Sequence, residues 1–332
     1  MDLTALKAEM LHRAQVAGFA DARVAPARVA PEHGERLADW LAAGMQGEMA
    51  YMERWGGRRA DAATVVPDAA SVIVLRADYH PGAVDAASSD GGSPDGKPPD
   101  AEPSADPTVR IAKYALGEDY HATLKRRAAP LVEWLSGVMP GNEWRIVTDS
   151  APLLERAFAE AAGIGFTGRN TLLIAPGAGS FFLLAEIVTT AAIPPDSPVP
   201  GTCGTCTRCI DACPTGAVTS PFVVDSRRCI SYLTIEKRSP LAPEEEAMLH
   251  GWAFGCDICQ DVCPYNGRPP ASPIAEFADG ACVRHEEPLS TFLAPRTNGE
   301  FEKRFAASPL LRPGRKRLAR NARLAAKETD PH

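Results

Sequence analysis

The sequence predicts an α+β chain in three parts, and three observations carry that reading. Strand-like and helix-like hydrophobic patterns alternate through residues 1–193, as in an α/β unit. Four prolines in the seven residues 194–200 mark a boundary, and a cysteine-rich module follows to about residue 270. Residues 271–332 close the chain with a short basic helical segment.

Leu3, Leu6, Met10, Ala14 and Ala17 recur at helical spacing and predict a helix over 1–17. A second helix is expected over 35–41 and a strand over 71–76. Residues 82–107 hold six acidic side chains against Lys97 among Ser, Gly, Pro and Ala, and predict a flexible acidic insertion. Ordered structure is expected to resume at 110–114, and a helix over 120–135 comes next. Residues 145–149 form a short strand ending on the carboxylate of Asp149. Pro152 suits the first turn of a helix running over 153–162 to Gly163. Two further strands are expected at 171–174 and 181–189.

Composition excludes several classes. Hydrophobic residues at 45% and charged residues at 23% are ordinary globular values, which rules out wholesale disorder. The longest apolar run, 181–193, is interrupted by Glu186 and is too short to span a bilayer. No export signal opens the chain, so a cytoplasmic, monomeric protein with no membrane partner is expected. Net charge −7 argues against an overall basic nucleic-acid coat. Locally, however, residues 303–323 hold eight Lys or Arg and no Asp or Glu.

All nine cysteines lie between positions 203 and 282. In a long chain without an export signal this favours metal or redox chemistry over a disulfide scaffold. Cys203-x2-Cys206-x2-Cys209-x3-Cys213-Pro214 is the run that bacterial-type ferredoxins use for [4Fe–4S] clusters. Cys256-x2-Cys259-x3-Cys263-Pro264 repeats it without the first cysteine, and Cys229 can supply the missing ligand. By the ferredoxin crossing rule, cluster one takes Cys203, Cys206, Cys209 and Cys263. Cluster two takes Cys213, Cys229, Cys256 and Cys259. Paired structural zinc sites are the competing reading, but zinc does not require this run. Cys282 stands outside both sets and is given no role. More than 190 cysteine-free residues precede the module, so the clusters are expected to feed a second redox site.

Nucleotide motifs are absent: there is neither a G-x-G-x-x-G after a strand nor a P-loop. Asp78, His80 and Gly82 approach the D-x-H-x-x-G loop that ligates cobalamin through histidine, but the glycine comes one position early. Four stretches are more specific: TDSAPLLER (148–156), GIGFTGRNTLLI (163–174), RCISYLTIEK (228–237) and GCDICQDVCPYN (255–266). Together they resemble the epoxyqueuosine reductase family over most of the chain, from near residue 5 to about 323. That resemblance implies a nitroreductase-like, cobalamin-binding N-terminal domain joined to a ferredoxin-like two-cluster module. It implies reduction of the epoxide of epoxyqueuosine at the tRNA wobble position, with base-off cobalamin that takes no histidine from the protein. An external low-potential electron donor is also implied. Three departures stand out: the 82–107 insertion, Tyr265 where the family usually has Trp, and the lack of most or all of a C-terminal helical-repeat domain.

The resemblance also implies residue roles. Asp149 matches the proton donor, a task that burial would serve by raising its pKa; the competing role is a cap on the following helix. Arg59, Ala112, Asn170, Leu173, Ser231, Cys256, Asp257, Ile258 and Cys259 match cobalamin-lining positions, with Asp149 among them. Arg238 matches a tRNA contact. Arg315, Lys316, Arg317 and Arg320 add a basic run that can neutralise phosphates. Tyr232 and Phe254 are candidates to stack on an extruded base or to be core residues. The alternatives are a reductive-dehalogenase-like enzyme, disfavoured by the missing export signal, and a non-catalytic electron or cobalamin carrier, disfavoured by Asp149 in its motif.

Overall fold

The computed structural model describes residues 2–81 and 106–329; of the expected acidic insertion, residues 82–105 lie outside the described residues. Helix α1 (Leu3–Val16) opens at Asp2, whose carboxylate accepts the Ala5 amide at 2.8 Å. Strand β1 (Asp21–Pro26), helix α2 (Pro31–Ala42), strand β2 (Ser71–Asp78) and strand β3 (Thr108–Ile111) follow. After them come α3 (Tyr120–Val138), β4 (Trp144–Val147), α4 (Glu155–Ala161), the short pair β5 (Phe166–Thr167) and β6 (Leu173–Ile174), and β7 (Phe182–Thr189).

The main sheet has the order β1-β2-β7-β4 with every pair antiparallel. The alternation of strands and helices therefore builds antiparallel pairs, a direction that alternation alone does not fix. The two-residue period of β2 sends Ile73, Leu75 and Ala77 to one core and Val72 and Val74 to the other. On the first side Leu6, Met10 and Ala14 of α1 meet Leu124, Ala128, Leu131 and Leu135 of α3. On the second, Ala157, Phe158 and Ala159 of α4 cover Val72, Leu184 and Val188. A layer of helix thus covers each face of the sheet.

In the cysteine module, α5 (Arg208–Asp211) is followed by the two-stranded ribbon β8 (Val218–Ser220) and β9 (Val223–Val224). Helices α6 (Ile230–Ile235) and α7 (Pro243–Glu246), strand β10 (Trp252–Phe254) and helix α8 (Ile258–Asp261) complete it. The single-turn helices α5 and α8 each carry a central cysteine, and each run ends at a Cys-Pro pair, the structural form of the repeated motif.

Strand β11 (Glu286–Pro288) and helices α9 (Leu289–Leu293), α10 (Asn298–Arg304) and α11 (Arg315–Thr329) end the chain. A second sheet, β10-β3-β11, takes one strand from each of the three sequence regions. Helix α11 buries Leu318, Ala322 and Ala325 against Val109, Ile111 and Phe254 of that sheet. The basic segment is therefore built into a core along one face and is not an appendage. Among the described residues no helix is long and apolar enough to cross a membrane.

Candidate active site

Two adjoining cavities lie between the main sheet, the start of α3, the cysteine module and the loop before α11. One is about 730 Å³ and the other about 570 Å³. Both are walled by His121, Asp149, Glu236 and Arg312. The larger is strongly cationic, with Arg36, Arg54, Arg59, Arg156 and Arg312 facing it against Asp149, Glu155 and Glu236. The smaller reaches Cys229, Ser231, Tyr232 and Phe254.

Asp149 sits two residues past β4 with φ of 54°, the left-handed region that is uncommon for non-glycine residues and best tolerated by Asn and Asp. It does not cap α4: that helix begins after Leu154 without a side-chain cap. The turn aims its carboxylate into the cavities. It lies deep within the protein yet faces open space, with 62% of the side chain accessible. Tyr120 Oη donates to Asp149 Oδ2 at 2.7 Å, and His121 Nε2 lies 3.2 Å from the same oxygen. His121 Nδ1 meets Asp119 Oδ1 at 2.6 Å, and Asp119 also caps α3 by accepting the His121 amide.

The electrostatics reverse one expectation. Burial acts to raise the Asp149 pKa, but the His121 and Tyr120 bonds overcome it and hold the carboxyl below the usual range. Asp149 is an ionised acceptor in this site. The proton rests on His121: burial opposes its charge, but two carboxylates lift its pKa to about 9. Tyr120 is pushed up by burial and by Asp149, and stays a hydroxyl donor. Tyr120, His121 and Asp119 were absent from the sequence reading. Adjacent polar residues at the start of a predicted helix were the only hint of them.

Several of the eight thiols lie near enough to act on one another electrostatically, mostly within the expected sets, although Cys209 also acts on Cys259. Burial pushes up Cys209, and Cys203, Cys263 and Cys206 add to it. Burial lifts Cys256 to about 12, with Cys229 and Cys213 contributing. Cys259 is raised by burial and then by Cys256 and Cys229. Backbone amides turn toward these sulfurs; Ala217 N–H reaches Cys213 Sγ at 3.2 Å. Among the described residues no three His, Cys, Asp or Glu side chains converge on a site for a single metal ion. Cys282 is partly exposed, and its amide bonds the Leu116 carbonyl at 2.9 Å.

Of the other expected site residues, Arg59 and Ser231 line the cavities. Arg59 is buried; its Nη2 donates to the Tyr51 carbonyl at 2.9 Å, while Nε has no partner. Leu173 belongs to the core beside α4. Asn170 is buried and donates to the Cys259 carbonyl at 3.3 Å. Ala112 is buried behind the cluster-two loop, with its Cβ closing the space at Gly255. Asp257 is buried, accepts the Lys113 amide at 2.7 Å, and is lifted by burial to about 6. Ile258 packs beside Ala112, Ile230 and Trp252. His80 lies against Phe181.

The basic residues converge from two places. Arg317 Nη1 bonds the Lys237 carbonyl at 3.2 Å and Arg320 Nη1 the Ser239 carbonyl at 3.4 Å, bracketing Arg238. Burial, Arg238 and Arg320 together lower the Arg317 pKa. Arg238 and Lys316 are exposed, and Arg315 bonds Asn298 at 3.3 Å. Tyr232 and Phe254 keep only an edge to the cavity, since both are core residues. Two exposed aromatics line the larger cavity, Tyr51 and Phe222, and Phe222 is held at φ of 69° with its amide on the Arg169 carbonyl. It was missed because its sequence neighbours read as an ordinary loop.

These features define an iron–sulfur oxidoreductase with a deep, acid–base-equipped cavity beside its clusters. The 4Fe-4S double cluster binding domain family matches residues 202–266, and "Epoxyqueuosine reductase QueG, DUF1730" matches 59–150. The chain is 38% identical over 324 residues to the epoxyqueuosine reductase of Gloeobacter violaceus, covering 96% of this chain and 95% of that protein. It is 40% identical over 299 residues to that of Burkholderia pseudomallei, covering 86% and 72%. This chain belongs to the epoxyqueuosine reductase family. Among solved structures, an epoxyqueuosine reductase with an epoxyqueuosine-modified tRNA stem loop aligns with TM-score 0.84 and 28% identity, over 99% of this chain and 82% of that one. A Bacillus subtilis epoxyqueuosine reductase with its catalytic aspartate loop swung out of the active site aligns with TM-score 0.83 and 28% identity, over 99% and 82%.

Proposed function

We propose that this enzyme reduces the epoxide of epoxyqueuosine at the tRNA wobble position to give queuosine, using two [4Fe–4S] clusters and bound cobalamin. The observation that carries this reading is Asp149, held by Tyr120 and His121 in the wall shared by the two cavities. In this reading residues 1–193 form a nitroreductase-like, cobalamin-binding catalytic domain, 194–270 the ferredoxin-like domain, and 271–332 the basic segment.

The site fits such a cofactor. The Nε of Arg59 is a buried donor in need of an acceptor, which the carboxamide rim of cobalamin offers. Ser231 would face it from the cluster side, with Ala112, Asn170, Leu173 and residues 256–259 behind. Both nitrogens of His121 are engaged by carboxylates, which supports a cofactor without this imidazole on cobalt. Cobalamin, when bound, supplies a strong reductant or nucleophile fed by the clusters one electron at a time.

Opening the epoxide to an alkene consumes two electrons and two protons and releases the oxygen as water. At neutral pH His121 holds a proton, and its Nε2 lies 3.2 Å from Asp149 Oδ2 in the wall that both residues share. Asp149 relays that proton to the departing oxygen, solvent in the open cavity supplies the second, and Tyr120 keeps the carboxylate oriented. The cationic cavity wall and the cluster around Arg238, Arg315, Lys316, Arg317 and Arg320 would receive the anticodon-arm phosphates. A cytoplasmic monomer served by an external low-potential donor completes the reading.

The test is direct. Anaerobically purified protein should carry about eight irons per chain, take up one cobalt with cobalamin, and convert epoxyqueuosine to queuosine in tRNA nucleosides resolved by mass spectrometry. Loaded protein that leaves epoxyqueuosine unchanged overturns the proposal.

A further inference from the structure

Glu186 lies in the middle of β7, fully buried, opposite Val74 and Val147. The pleat places it on the same face as Leu184 and Val188, toward the first turn of α4. Neither carboxyl oxygen receives a bond from an amide, a hydroxyl or a cation. The group facing it is Glu155. Two carboxylates only accept, so they bond each other only through a proton that one of them carries. Burying an ionised, unpaired carboxylate is strongly unfavourable, so the pair retains that proton. Burial accordingly pushes Glu155 up to about 8 and Glu186 well above the usual range.

Glu155 has a second partner. Its Oε1 accepts the backbone amide of Asp149, the residue with the left-handed φ of 54°. The other charged or titratable neighbours are the Asp149 carboxylate, which raises both glutamates, and Arg156, Arg59 and Tyr120.

We propose that Glu155 and Glu186 form a proton-sharing latch that holds the Asp149 turn in its cavity-facing conformation, which makes Glu155 a positioning residue for the reduction. The proposal rests on the reading of Asp149 given above. With the shared proton in place, Glu186 fixes Glu155, and Glu155 fixes the Asp149 amide. Removing the proton leaves two like charges face to face beneath the turn, and the bond to Asp149 is released.

The experiment measures backbone hydrogen exchange over residues 147–154 in the cofactor-loaded enzyme, alongside turnover of epoxyqueuosine-containing tRNA. Glu155→Ala should speed exchange of the turn about tenfold. It should lower kcat by roughly 10- to 100-fold, the scale of a small misplacement of a reacting group, with KM little changed. Glu155→Gln should restore protection and most of kcat, because its carbonyl accepts the Asp149 amide and its NH2 donates to Glu186. Wild-type exchange and kcat in Glu155→Ala, or a glutamine variant as impaired as alanine, overturns the latch. Should Glu155→Ala fail to fold, Glu186→Gln decides, since it supplies a neutral donor with no proton to lose. Protection of the turn, corrected for intrinsic exchange, should fall in wild type as pH rises from 7 to about 10 and fall clearly less in Glu186→Gln, where only the His121 bond to Asp149 still titrates. Identical pH dependence in both overturns the proposal. The exchange readout is independent of chemistry, so an inactive role for Asp149 would show in Asp149→Asn turnover while leaving the latch result intact.

Discussion

In the cysteine module, seven of the eight proposed cluster thiols come from two stretches, 203–213 and 256–263, and each folds into one turn of helix closed by a Cys-Pro pair. Around Asp149, the groups come from the start of α3, the turn after β4, the middle of β7 and the loop before α11. The first region writes its chemistry into spacing, because a tight loop is enough to converge sulfurs. The second assembles it by folding distant segments together, and each residue alone reads as ordinary. Local chemistry survives in a motif, whereas the tuning of a carboxylate by its neighbours does not.

The sharpest way to break the comparison is through Cys229, the one proposed cluster thiol that lies outside the two stretches. Cys229→Ala should leave about four irons in place of eight, with turnover abolished, by iron analysis and assay. Retention of eight irons would remove Cys229 from the ligand set and weaken the case that spacing carries this module.

A smaller effect should follow from His121→Gln, which removes the proton store but keeps a polar side chain beside Asp149. Turnover should fall roughly 10- to 100-fold, and the fall of wild-type kcat near pH 9 should disappear from the profile. The sign for stability follows from the raised pKa of about 9. The network's contribution is complete below the unfolded value near 6.5 and is lost as pH rises through about 9. Melting temperature against pH should therefore converge for variant and wild type at alkaline pH.

The smallest effect is expected at the basic cluster. Arg238→Ala with Lys316→Ala removes two exposed cations and spares Arg317 and Arg320, which bond backbone carbonyls. Affinity for tRNA should drop severalfold, and the slope of log K against log salt should flatten by about 1.5 to 2. An unchanged slope would mean that these residues are solvated and make no phosphate contact.

Much of the scaffold was legible. The periods of α1, β2, α3 and β7 place them within a few residues of where they lie, because long amphipathic or fully buried runs leave little choice. Strand β1 was missed: it is a sheet edge whose Asp21 and Arg23 face outward between buried residues, and it ends at Pro26. Strands β10 and β11 were missed because three residues carry no period, and their partner β3 lies far away in sequence. The α11 segment was read as a basic helix for phosphate contact, and its core face was not seen because the apolar side of Leu318 and Ala322 shows only once a partner is known. Asp149 was found by its motif. Its charge state was expected the wrong way round, since Tyr120 and His121 come from 28 or more residues earlier.

The central claim is that Asp149 passes a proton to the substrate from an ionised, hydrogen-bonded position and does not merely shape the turn. Asp149→Asn keeps the size and the left-handed preference of the residue but cannot accept a proton from His121 and pass it on. The measurement is single-turnover conversion of epoxyqueuosine in tRNA by this variant, with iron and cobalt contents matched to wild type. The account predicts full cofactor loading with a rate roughly 10² or more below wild type. A near-normal rate at matched loading would contradict it.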